Sequence, residues 1–176
     1  MFASSLAIVR AYFAVCTFRL GPQDLPAAGV FLLISLVLYA LASTALVLPA
    51  RELPVAVLSG TTETALLLLI TWVLLRLRGV PQRFRQTATA LTGTGFLFSL
   101  VALPLFCLHG VNAAPLLLAL IGLLVLCLVV WNVAVMAHIL RHALSASFPM
   151  GVLLAMGYIW LITMGMTAIL PGQAGR

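Results

Sequence analysis

The stretch Leu75-Arg76-Leu77-Arg78-Gly79-Val80-Pro81-Gln82-Arg83-Phe84-Arg85-Gln86 decides the fold. It holds four of the nine arginines, and the sequence on both sides of it is almost continuously apolar. Arginine is costly in hydrocarbon, so this segment belongs at a membrane surface. Cytoplasmic loops collect Lys and Arg, which marks that surface as the cytoplasmic one. The residues that follow, 87–95, read Thr-Ala-Thr-Ala-Leu-Thr-Gly-Thr-Gly. Small residues of this kind let helices approach closely inside a bilayer.

Composition agrees. The 176 residues are 64% hydrophobic and 7% charged, whereas charged residues make up about a quarter of a soluble domain. A spanning helix needs about 20 apolar residues, so the length accommodates roughly five or six spans. The net charge of +6 comes from arginine alone. A basic balance is also a mark of nucleic-acid binding. Here the arginines punctuate hydrophobic runs, so topology and anionic headgroups account for them and no nucleic-acid partner is expected. Cys16, Cys107 and Cys127 fall in different segments without CxxC spacing, which points to free apolar thiols rather than a metal site or a disulfide framework.

In chain order, the region before the first apolar run lacks positive charge and Arg10 interrupts the run, so residues 1–20 do not fit a signal peptide. Phe2, Leu6, Val9, Phe13, Cys16 and Leu20 recur at helical spacing. Residues 1–26 therefore read as a cytoplasmic, interfacial amphipathic segment, ended by Gly21-Pro22. Residues 27–172 form a five-span membrane domain, with spans expected at about 27–48, 54–75, 87–108, 115–138 and 150–170. Pro104 falls near the far end of the third span, where few helical bonds remain to lose. His109-Gly110-Val111-Asn112 makes the next turn, and residues 173–176 form a short tail. The fold class is all-α: a polytopic membrane helix bundle of five transmembrane helices preceded by an interfacial N-terminal helix.

With five alternating spans, Arg10, Arg19, Arg76, Arg78, Arg83, Arg85 and Arg141 fall on one side, and Arg51 and Arg176 on the other. This bias puts the N-terminus in the cytoplasm and the C-terminus outside. The Arg-only, Leu/Ala-rich composition fits a GC-rich bacterial genome, and the expected location is a bacterial inner (plasma) membrane. No internal repeat supports an inverted-repeat transporter.

The layout resembles the Yip-domain family, five-span relatives of Rab-interacting membrane proteins. Arg83-Phe84-Arg85-Gln86-Thr87 and the small residues after it look like the bacterial members' entry into the third span. The run Trp131-Asn132-Val133 to His138-Ile139-Leu140-Arg141 is similar to the aromatic-then-polar end of their fourth span. Of the acidic, tyrosine-containing Gly-Pro motif of the eukaryotic branch only Gly21-Pro22 is present, so a trafficking or GTPase-binding role does not carry over. The resemblance implies an architecture and a non-enzymatic role, with no catalytic residues and no cofactor.

Chemistry-bearing groups are few. His138 and His142, four apart, share a helical face. Two such histidines hold a metal only with further ligands, and none lies nearby in sequence, so no metal is expected. Proton relay is their sharper alternative. Arg76, Arg78, Arg83 and Arg85 are candidate contacts for lipid phosphates or a protein partner. Trp72, Trp131, Trp160 and Tyr158 read as packing or interface aromatics. Asn132 needs a hydrogen-bond partner on another helix. The acids number only three, Asp24, Glu52 and Glu63. If the second span reaches back to about Val55, Glu63 lies roughly 12 Å below the outer surface. It must then face other helices, with Thr61, Thr62 and Thr64 as hydrogen-bonding neighbours. If Ser59-Gly60 breaks the span, Glu63 instead sits in a wetted first turn.

Glu63, Asn132, His138 and His142 are thus the candidate intramembrane polar site. Two functions follow. One is a membrane scaffold or accessory subunit whose partners are lipids and other integral membrane proteins or copies of itself. The other is a small transporter or proton- or ion-conducting subunit using Glu63 and the two histidines.

Overall fold

The structure, a computed structural model, describes residues 2–109 and 114–170, with side chains from Ile8 to Leu108 and from Ala114 to Leu170. The expected turn at Gly110-Val111-Asn112 and the tail at 173–176 lie outside the described residues. The described residues form six α-helices: α1 (Phe2–Cys16), α2 (Gly29–Val47), α3 (Leu53–Leu77), α4 (Phe84–His109), α5 (Pro115–Ala143) and α6 (Phe148–Ile169). No strand occurs among the described residues. Helices α2 to α6 are each long and apolar enough to cross a membrane, so the molecule is a multi-pass membrane helix bundle.

Helix starts follow local chemistry. Proline near the first helical position loses no bond it would otherwise make, and Pro54, Pro115 and Pro149 open α3, α5 and α6 in this way. A short 3-10 turn, Pro81–Arg83, leads into α4, so Arg85 stands inside the helix. Helix α4 continues through Pro104. Helix α5 runs to Ala143, five residues past the expected end, so His138, Arg141 and His142 are helical.

Helix α4 is the centre, touched by α1, α2, α3 and α5, while α6 packs on α5 and α3. Residues 87–94 are all buried. Their threonines return each hydroxyl to the carbonyl four residues back, as in Thr89 to Arg85 and Thr92 to Ala88. That leaves a helix of small bulk with no polar atom unsatisfied on these side chains, onto which larger neighbours close. A Cβ at Gly93 would stand 2.5 Å from the Tyr12 ring, and one at Gly95 would stand 2.7 Å from the Tyr39 ring. Two glycines thus seat one tyrosine from α1 and one from α2.

On α1, Val9 and Phe13 of the apolar stripe are 47% and 61% exposed, whereas Tyr12, Val15 and Cys16 are buried. The tyrosine hydroxyl decides this. Ser35 donates to the Phe31 carbonyl, which leaves its oxygen to accept from Tyr12. Exposed apolar side chains cost nothing against lipid, so burial follows the polar atom. The helix runs lengthwise along α4 rather than across its end. Tyr12 lies at Gly93, and Ile8 and Val9 share a crevice with Phe96 and Leu97. The two helices are therefore antiparallel.

Candidate functional site

Glu63 stands in the third turn of α3, because Ser59-Gly60 does not break that helix. Glu63 therefore does not stand in a first helical turn. The glycine serves packing instead: a Cβ at Gly60 would approach the Ala40 carbonyl oxygen of α2 to 2.8 Å. Close contact of α2 and α3 brings Tyr39 to Glu63, and the phenol donates to the carboxylate Oε1 at 2.9 Å. Two of the threonines expected around Glu63 bond elsewhere. Thr61 bonds to the Val57 and Leu58 carbonyls and Thr64 to that of Gly60, all within their own helix.

Glu63 and Tyr39 line a cleft of about 190 Å³ that also takes in Ser99 and Asn132. Its remaining walls are apolar side chains such as Leu46, Phe106 and Val129. Four helices thus present a carboxyl group, a phenol, a hydroxyl and an amide at one level of the bundle. Ionisable groups at such depth are a functional signal in their own right. Chemically, the set can take up a proton at the carboxyl group or hold a small cation between carboxylate and amide oxygens.

The two histidines belong elsewhere. They do share a face, with ring centroids 4.6 Å apart, but neither lines the Glu63 cleft. His138 is 4% exposed. Its Nε2 lies 3.0 Å from the Leu20 carbonyl oxygen, and its Nδ1 lies 3.3 Å from the Arg141 guanidinium. Both contacts are satisfied when Nε2 carries the proton and Nδ1 accepts. The imidazole thus pins the end of the α1 segment to α5. No group of three or more His, Cys, Asp or Glu side chains that would hold a metal occurs among the described residues.

The arginine segment is divided. Arg83 donates to the carbonyls of Ala143 (2.9 Å) and His142 (3.3 Å) and to the Ser145 hydroxyl. Arg78 donates from Nε to the Leu144 carbonyl at 3.3 Å. These are the orphan acceptors at the C-terminal end of α5, where a cation also meets the negative end of the helix dipole. Arg76 lies over the Trp72 ring at 5.4 Å. Arg76 and Arg85 are exposed. Gln86 holds the α1–α2 link through the Gln23 and Leu25 carbonyls. Beside Arg83 a polar cavity of about 200 Å³ is lined by Gln23, Gln86, His142 and Ser145.

Sequence reasoning overlooked Tyr39 and Ser99. The available signal was a hydroxyl within an apolar run, which needs a partner in hydrocarbon. It likewise took Trp131 and Tyr158 as packing aromatics. The Trp131 indole N–H donates to the Cys16 carbonyl at 2.9 Å. The Tyr158 hydroxyl donates to the Leu67 carbonyl at 2.7 Å, beside Thr71. Comparison of the chain with family models, with curated proteins and with solved structures finds no match.

Proposed function

We propose that the chain is a Yip-like protein of the bacterial inner membrane that acts non-enzymatically, as a scaffold or as the accessory subunit of a larger membrane assembly. The observation that carries this reading is the outward face of α5. This is the longest helix, and only 6% of its most apolar window is buried within the bundle. A face so little used internally is available to lipid and to other membrane chains. The use of the polar side chains agrees. Arg78, Arg83, Gln86, Trp131 and His138 all end on the chain's own backbone carbonyls, which is how a rigid structural part employs them. Purification in mild detergent tests the proposal. A companion membrane protein at fixed stoichiometry is the expected result. A lone species whose stability depends on a small ligand counts against it.

The Glu63 cleft favours a second reading, a small transporter or a proton- or ion-conducting subunit. The substitution Glu63→Gln keeps the shape and removes the charge. Normal assembly with loss of a proton- or cation-dependent flux in reconstituted vesicles would establish that reading. Unchanged behaviour leaves the cleft without a transport role.

A further inference from the structure

Arg10 is in an unusual place. Its helix lies along α4, and the Tyr12 ring sits against Gly93. From Arg85 to Gly93 is about 12 Å of helix, and the two residues from Tyr12 back to Arg10 add about 3 Å. The Tyr12 ring leans toward the N-terminus of α1, so Arg10 lies roughly 10–15 Å from the arginine end, well inside a hydrocarbon layer about 30 Å thick. It is nevertheless exposed, on the side of α1 away from Tyr12. Side chains on a helix lean toward its N-terminus. For α1 that direction points away from the arginine-end surface, so the guanidinium is poorly placed to reach headgroups there.

None of the three acidic side chains is offered to it. Asp24 accepts the Gly21 N–H at 2.8 Å, Glu63 accepts from Tyr39, and Glu52 precedes α3 at the opposite end. A second copy brings the same three acids in the same positions. Val9 and Phe13 are exposed on α1, and Phe13, three residues on from Arg10, shares its side of the helix. Phe13 also borders an almost wholly apolar groove of about 290 Å³, walled by Cys16, Leu97, Phe98, Val101 and Trp131.

We propose that Val9, Arg10 and Phe13, with this groove, dock a transmembrane helix of a different membrane protein, and that this helix carries an aspartate or glutamate at mid-membrane depth. The inference rests on the accessory-subunit reading and names the chemistry of the partner. A buried guanidinium needs a carboxylate opposite it, and Arg pairs with one in a bidentate fork. The apolar groove takes the neighbouring side chains of the incoming helix.

The test reconstitutes the full-length chain in phosphatidylcholine bilayers with a fluorescent leucine–alanine transmembrane peptide bearing one central glutamate. Energy transfer to a labelled chain reads association. The glutamate peptide is expected to bind at least about tenfold more tightly than its glutamine counterpart, and Arg10→Gln is expected to abolish that preference. Arg10→Lys should retain part of it. Because Arg10 is exposed, the thermal melt of Arg10→Gln should match the wild type, and that melt separates docking from misfolding. Equal binding of the two peptides, or a preference unaffected by Arg10→Gln, overturns the proposal. So does equally strong association of a labelled second copy, and so does binding that follows added anionic lipid rather than the peptide's carboxylate. In cell membranes, a photocrosslinker at Phe13 should capture the companion, whereas one at Leu153 on α6 should not. If a companion co-purifies but crosslinks only from α6, the accessory reading stands and this docking site fails. If no companion exists and the peptides also fail to discriminate, both fall.

Discussion

Tyr39 lies ten residues into α2, and its hydroxyl meets the Glu63 carboxylate across the helix interface. Among apolar neighbours, each group gains a hydrogen-bond partner in the other. Hydrogen bonds between membrane helices average about 0.6 kcal/mol and reach about 1.7 kcal/mol, and a charged acceptor belongs at the upper end. Tyr39→Phe is therefore expected to cost about 1–2 kcal/mol in detergent unfolding. Added to Glu63→Gln, it should cost much less than it does alone, because the partner is already altered. Strict additivity would show that the contact carries no energy. Glu63 was legible from the sequence because a carboxyl group in an apolar run demands an account. Tyr39 was not, since a tyrosine there also reads as packing. Its meaning depends on the α2–α3 hairpin, which places residues 24 apart side by side.

At the scale of helices, α4 sets the arrangement because its small residues accept larger neighbours. Gly93→Leu puts a side chain where the Tyr12 ring lies and should displace α1 at a cost of about 1–3 kcal/mol, the usual range for overpacking. With Cys107 and Cys127 replaced by serine, displacement is expected to speed alkylation of Cys16, buried in the wild type, by a membrane-permeant reagent. Gly122→Leu on α5 provides the contrast, since nothing lies within 4 Å of a Cβ there. Existence of the five long helices was legible, because unbroken hydropathy needs only local sequence. Two features were not. The true end of α5 is held by Arg83 through carbonyls some 60 residues away, a tie that local charge does not reveal. The burial of Tyr12 on α1 was not legible because hydropathy ranks Phe13 above Tyr12, while in a bilayer the polar atom has the greater need of a protein partner.

For the whole molecule, the excess of arginine at one end predicts orientation. In a background without native cysteines, Gln82→Cys should remain unlabelled by an impermeant thiol reagent in intact cells, and Gln173→Cys should label readily. Reversal of that pattern overturns the assigned topology. One consequence concerns synthesis. The partners of α1 are late in the chain: Ser35 is 23 residues after Tyr12, Gly93 is 81 after it, and Trp131 is 115 after Cys16. Helix α1, made before its partners, thus has no complete seat until α4 and α5 exist. Contacts so distant in sequence are slow to form. During translation α1 must wait outside its final position, and it is seated only by helices made long after it.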